Sequence, residues 1–529
     1  MGFITADRNE LGFLNILDSI PEDNKSRFVV KIVSQLDLSP LYAGYSDQGG
    51  DAYDPAPILA TWFYAYSERE RSSRRIEDRC RYDIRYMYVS ANLQPDHCAL
   101  SRFRNRHAEL LPEYFVQIVA HIVEHGEQLG CDFKEINVDG ANILAFCSKR
   151  HSKTAEKLVL KTDTLKERVA GYLLGCESED VSAEELERLR EEKARLEAEI
   201  ERLASCGEQL ARRKETLKAE HREGHQINTV EPEARIMPKS NAPAYNGVIG
   251  VDNHHFILSN HLSDEPNEQQ EFSIIHQKTE ANLADDANRQ YNMDAGFHSG
   301  DQLAYADEHN IDVVMADPNP RHRSIAEQPT TMEILEHGDR RLERSDFSYH
   351  EADDYYQCPS GQKLEPVSAY RDRGNTRTLY QAKNCRDCPL FKRCLTKSQQ
   401  ESRQKVKRIY RSQKELLAEK MARKLQTEAA KQRLKTRMST VEPVFGNLKH
   451  NLGFRKFLLK GLKLATGEFN LMCIAHNLNA LFAKALLTCF YLLFARLWRI
   501  IIFSMNKNQN LTELPSWSGC APLKSPEAA

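Results

Sequence analysis

The chain has 529 residues, a formal net charge of −3 and 13 cysteines. That length exceeds one ordinary core and asks for several domains, and the near-neutral balance excludes a general polycation, so any polyanion site must be local. The odd cysteine count, with Cys80, Cys98, Cys131, Cys147, Cys176 and Cys206 scattered singly and no secretory signal at the start, reads as a reduced, cytoplasmic protein.

Residues 1–130 carry three or four amphipathic helical patterns broken near Asn92–His97. Between Arg71 and Arg106 nine arginines face four acids, with Tyr82, Tyr86, Tyr88 and Phe103 interleaved. Arg71, Arg74, Arg75, Arg102 and Arg104 are therefore candidate phosphate contacts of a helix-turn-helix type. The alternative is a solvated arginine face over a tyrosine core. "INVDG" then predicts a short strand ending at Asp139 and Gly140.

From Ala183 the composition turns to Glu, Arg, Lys, Leu and Ala, and Leu189, Leu196, Leu203, Leu210 and Leu217 recur every seven residues. This predicts either a dimerising coiled coil or a helical hairpin folded on its own domain, bent at Ser205–Gly207. Strand-like alternation returns at "NAPAYNGVIGVDNHHFILSNHLSDEPNE", followed by helix, "YNMDAGFHSG", helix and "IDVVMADP". Strands alternating with helices predict an α/β core with a mixed sheet.

Cys358, Cys385, Cys388 and Cys394 are spaced C-x26-C-x2-C-x5-C. Four thiolates around a CxxC suit a tetrahedral structural Zn²⁺; reduced structural thiols or a redox pair are the alternatives. From Arg403 to Lys463 there are eighteen Lys or Arg and four acids, one of them Glu442. The apolar run from Ala485 is interrupted by Arg496 and Arg499, too short for a membrane span of roughly 20 residues, so a terminal core helix or tail is expected and no membrane partner.

Two acids stand where a predicted strand gives way to a loop with glycine close behind: Asp139 and Asp294. Sites in open α/β sheets gather at strand ends, and two such carboxylates with a helical glutamate suit Mg²⁺, which prefers oxygen ligands. Asp252 and Asp317 are decoys at similar positions.

"INVDGANILAFCSKRHSKT", "MDAGFHSGDQL" and "TVEPVFGNLKHNLGFRKFLLKG" are similar, in this order, to the three characteristic blocks of bacterial insertion-sequence transposases of the DDE type. "RSSRRIEDRCRYDIRYMYVSANLQPDHCALSRFRNRH" and "HNLGFRKFLLKGLKLATGEFNLMCIAHNLNAL" resemble the family's helical N-terminal domain and closing helices, so the resemblance covers most of residues 50–482. It implies an α/β ribonuclease-H-like mixed-sheet catalytic core with an all-α N-terminal domain. The core is expected in residues 131–163, 226–349 and 400–484, with a helical coiled-coil-like insertion at 164–225, a four-cysteine insertion at 350–399 and an apolar helix and tail at 485–529.

The resemblance further implies that Asp139, Asp294 and Glu442 form the acidic triad holding two Mg²⁺ ions, for which Mn²⁺ can substitute. Lys449, on the face of Glu442 two turns on, would steady a DNA strand gripped nearby by Arg455 and Lys456. The implied function is Mg²⁺-dependent cleavage at element ends and strand transfer into target DNA, by a homo-oligomer on double-stranded terminal repeats in the bacterial nucleoid. A nuclease without joining activity, or an inactive DNA-binding remnant, are the alternatives. The Glu helix departs from the family pattern: Lys435 and Met438 stand where Tyr and Arg are usual, with Arg437 one step off, and Ala141 replaces a Thr after Asp139 and Gly140.

Overall fold

The computed structural model describes residues 3–4, 10–11, 14–45, 52–176, 182–219, 226–238, 240–284, 287–318, 341–342, 344–350, 352–372 and 375–507. In the N-terminal part, helix α1 (Pro55–Ser67) starts with Pro at its first position, where a missing N–H costs nothing, and Asp54 accepts from the Ala56 N–H at 3.2 Å. It is apolar around nearly its whole circumference and is correspondingly buried, because α2 (Ser73–Tyr82), α3 (His97–Arg106) and α4 (Leu111–Glu124) belong to the same all-helical layer.

Helices α5 (Ala155–Cys176) and α6 (Ala183–Ala219) pack against each other. Leu196, Leu203 and Leu210 of the heptad seam are buried against Leu158, Leu165 and Ile227 of the same chain. The leucine repeat is thus spent inside a hairpin, the second of the two readings, and the hairpin begins before residue 164. Ser205–Gly207 lies within continuous helix rather than at a bend. Leu217 falls outside the described side chains.

The central sheet comprises β1 (Glu135–Leu144), β2 (Arg235–Met237), β3 (Ala242–Asp252), β4 (Ile257–Ser263), β5 (Gln290–Met293) and β6 (Asp312–Met315), in the order β4-β3-β1-β5-β6, with β2 also on β3. β4, β3 and β1 are antiparallel neighbours, while β1, β5 and β6 run parallel. β1 does not stop at Asp139 and Gly140 as predicted. It continues to Leu144 because β3 pairs it throughout, from Ile136 opposite Asp252 to Leu144 opposite Ala244.

β3 is buried on both faces. A side chain at Gly247 would strike the Phe469 ring, and one at Gly250 would meet Ser259 and Ile275; these positions, three apart, face opposite sides of the sheet. Ile275 belongs to α7 (Glu271–Leu283), and Phe469 to the C-terminal helix, so helices cover both sides. Asp252 is a buried turn residue whose Oδ1 accepts from the N–H groups of His254 and Phe256, which explains its place in the sequence without a role in chemistry.

A second sheet, β7 (Ser348–His350), β8 (Tyr355–Gln357), β9 (Lys363–Asp372), β10 (Asn375–Ala382) and β11 (Arg408–Ser412), is antiparallel in sequence order. It therefore extends past both ends of the expected 350–399 insertion. Helix α8 (Glu428–Gly446) then crosses the central sheet, and α9 (Leu462–Lys507) closes the described chain. Residues from Asn479 onward form a separate unit. Among the described residues no helix is long and apolar enough to cross a membrane.

Candidate active site

β1 and β5 are adjacent and parallel, with Asn292 opposite Asn137 as the last paired residues. Asp139 lies two residues beyond that point on β1 and Asp294 two residues beyond it on β5, so the parallel register alone brings both acids to one edge of the crevice where the strands part. Each carboxylate is oriented locally: Asp139 Oδ1 accepts from the Gly140 N–H and Asp294 Oδ1 from the Gly296 N–H, both at 2.9 Å.

Helix α8 delivers a third group. Thr427 caps its start, and Arg433 ties it to the sheet by donating to Asn292 at 2.7 Å and to both Asp312 oxygens at 3.0 and 3.1 Å. Burial acts to raise the Asp312 carboxyl, but hydrogen bonds from Lys424 and Arg433 outweigh it and leave the group below the usual Asp value. One turn on, Arg437 is buried. Its Nε donates to the Val138 carbonyl at 3.0 Å, and its Nη2 lies 2.9 Å from Asp139 Oδ1 and 3.8 Å from Asp294 Oδ2. Nη2 is so angled that it makes no directed hydrogen bond. The guanidinium is an internal cation set between the two aspartates.

Glu442 follows on the same helix. It is exposed on α8, five residues beyond Arg437. A five-residue step turns a helix by about 140°, so a buried Arg437 sends Glu442 to another face. Nor do the acids close up: among the described residues the only three metal-ligating side chains with ligand atoms within 4.8 Å of one another are His121, Glu124 and His125, at the end of α4 and remote in sequence from these acids. The expected alignment of Glu442 with Lys449 also changes, because residues Asn447–Asn451 form a π-helical turn that breaks the α-helical phase between them.

Two site residues escape the sequence reading. Arg437 stands there only as a residue out of register. Glu268, in the loop before α7, carries no pattern that singles it out. A Cβ built at Gly140 would lie 2.7 Å from Glu268 Oε1, and one built at Gly296 would collide with Glu268 Oε2. The two glycines are the signal, but nothing in the sequence says what fills the space they leave.

The basic residues divide by burial. Arg104 is 9% exposed, stacked 4.5 Å from the Trp62 ring centroid and donating to Tyr66 Oη, so it is a core residue and not a phosphate contact. Arg71 donates to the Lys456 carbonyl at 2.8 Å and lies 3.7 Å from the buried Glu468, joining the helical layer to the segment after α8. It too has a structural assignment. Arg74, Arg75 and Arg102 are exposed, as are Arg455 and Lys456, and Lys449 is half-buried. A groove of about 450 Å³ lies between the two segments, lined by Arg69, Arg75, His450 and Asn451 among others. Ser299 caps the helix Gly300–Glu308 and donates to the Gln269 carbonyl, which is a turn-stabilising role.

Cys358, Cys385, Cys388 and Cys394 pack on the apolar core of the second sheet around a cavity of about 20 Å³. The Gln362 N–H donates to Cys358 Sγ at 3.3 Å and the Lys407 N–H to Cys385 Sγ at 3.5 Å. Burial pushes the Cys394 thiol up to about 12, against the opposing charge of Lys407. No three of these sulfurs are drawn within 4.8 Å of one another.

Residues 357–482 match the family model described as transposase DDE domain, and residues 14–106 match that described as transposase domain (DUF772). Both matched segments are thus similar to transposase domains. The first match contains the cysteine cluster, Arg437, Glu442 and Lys449, while Asp139 and Asp294 lie outside both. No curated protein matches the chain significantly.

Proposed function

We propose that this transposase cleaves DNA at element ends and joins the freed 3′-hydroxyl to target DNA in a Mg²⁺-dependent reaction, on a ribonuclease-H-like core and as a homo-oligomer. The observation that carries the reading is the convergence of Asp139 and Asp294, from neighbouring parallel strands, on a single internal cation. The strand order, three antiparallel strands followed by two parallel ones, supports the core assignment.

The donor set fits a hard divalent cation: carboxylate oxygens, partly open to solvent at 19% for Asp139 and 39% for Asp294, already compensated in part by a guanidinium. The chemistry supplied by bound Mg²⁺ is activation of an attacking oxygen and charge balance at the leaving one. Asp139 and Asp294 bind and orient. Arg437 fixes the β1 backbone beside Asp139 through the Val138 carbonyl. Arg455 and Lys456 are exposed for backbone phosphates, as are Arg74, Arg75 and Arg102 in the helical layer. Beside the second sheet, the four half-buried cysteines would hold a structural Zn²⁺.

The test uses the purified full chain, Mg²⁺, and DNA bearing the inverted repeats that flank the gene. Wild type liberates 3′-hydroxyl ends and joins them to a second duplex. Asp139→Asn retains DNA binding and loses both steps; an Asp139→Asn protein that cleaves like wild type overturns the proposal. Glu442→Gln reports separately on the helical acid. The exposure of Glu442, with Met438 beside it, favours an inactive DNA-binding remnant as the second reading, which Mg²⁺-dependent nicking by the wild type excludes.

A further inference from the structure

We infer that Glu268 is the third carboxylate of the cation site, a role that rests on the proposed function of Asp139 and Asp294. Three observations meet on it. Its Oε1 and Oε2 lie too close to the Cβ positions left vacant by Gly140 and Gly296 to admit a side chain there; these residues follow Asp139 directly and Asp294 by two. One carboxylate therefore touches the backbone at both aspartates. At Gly296 the same vacant position lies 3.1 Å from Asp294 Oδ1, so Glu268 and Asp294 share one small volume.

Charge supplies the second argument. Asp139 and Asp294 together carry two negative charges, and Arg437, 7% exposed with Nη2 undirected toward any acceptor, returns one. The remainder does not balance a divalent cation. Adding Glu268 raises the sum over these four groups to two negative charges, which does. A divalent ion held by oxygen ligands needs that balance because partly desolvated charge is costly when uncompensated.

Topology supplies the third. Glu268 sits in the connection between β4 and α7, a loop that leaves the same sheet that carries the aspartates. Glu442 depends on the phase of a helix whose buried face is occupied by Arg437, Thr440, Val441 and Val444. As the side chains stand, the acids do not form a group of three ligand atoms within 4.8 Å of one another.

The experiment titrates Mn²⁺ into the full chain and reads free Mn²⁺ by electron paramagnetic resonance, alongside the DNA-cleavage assay. Wild type, Glu268→Gln, Glu442→Gln and Asp139→Asn are compared. Glu268→Gln is expected to weaken Mn²⁺ binding at least tenfold at unchanged far-ultraviolet circular dichroism, and Glu442→Gln to weaken it less. Gly296→Ala, which displaces the Glu268 carboxylate while keeping all the acids, is expected to weaken it as well; this variant keeps the idea open to refutation if Glu268→Gln fails to fold. Wild-type Mn²⁺ affinity in both Glu268→Gln and Gly296→Ala, with affinity lost in Asp139→Asn, overturns the role of Glu268 and leaves the aspartate site standing. Wild-type affinity and cleavage in Asp139→Asn overturn the underlying reading instead.

Discussion

Replacing Arg437 by methionine removes a charge while keeping most of the side chain's volume. In the folded protein Arg437 Nε satisfies the Val138 carbonyl at 3.0 Å, immediately past Asn137, the last β1 residue that β5 pairs. A buried carbonyl left unsatisfied costs about 1–3 kcal/mol. Loss of the ion pair to Asp139 adds less than the about 3–5 kcal/mol of a fully buried pair, because water reaches the 19% exposed carboxylate. The expected net destabilisation is about 2–4 kcal/mol, read as a lower urea midpoint at unchanged slope. The same substitution takes away a positive charge from beside the acids, so divalent-cation affinity should rise. A charge about 4 Å away is worth about 1–4 kcal/mol between water-like and surface-like dielectric response, which corresponds to roughly fivefold or more in affinity. Stability and Mn²⁺ binding should therefore move in opposite directions. An Arg437→Met protein that is as stable as wild type, or a folded one that binds Mn²⁺ more weakly, would refute the assignment of Arg437 as an internal counter-ion.

Cys385→Ser is expected to abolish stoichiometric zinc measured by plasma mass spectrometry and to lower the melting temperature; zinc-free wild type with the same melting temperature would remove the structural-zinc proposal. Arg104→Ala should destabilise by about 2–3 kcal/mol through loss of its stacking on Trp62, whereas Arg74→Ala should leave stability unchanged and weaken DNA binding with a shallower salt dependence. His476 donates to the His255 carbonyl at 2.8 Å and accepts from Asn447, and burial holds its pKa down to about 4. The unfolded chain takes up this proton near pH 6.5 and the folded chain does not, so stability falls as pH drops from about 6.5 toward 4, by at most ~3 kcal/mol. Urea titrations across that range should show a weaker pH dependence in His476→Gln; an identical dependence would place the titrating group elsewhere.

Local pattern determined much of this molecule. The alternation in "INVDG" and "NAPAYNGVIGV" specifies strands whatever their neighbours, and the clustering of Val, Ile and Tyr marks them as buried. The same holds for the loop position of Asp294, since a strand that ends in Asp-Ala-Gly ends there for backbone reasons. What pattern could not decide was partnership. The heptad leucines, Leu196, Leu203 and Leu210, specify an apolar seam but not whether its partner is a second chain or α5 of the same one. Arg104 and Arg74 are indistinguishable as residue types, and only packing against Trp62 makes one of them core. Helix α8 shows the limit most sharply. Arg437 and Glu442 lie five residues apart, about 140° around the helix, and spacing alone does not say which of them turns toward the sheet. The choice is made at Asp312 and Asn292, more than a hundred residues away, where Arg433 anchors the helix and thereby sets its rotation. Sequence spacing fixes which residues share a face; long-range contacts fix which face turns inward.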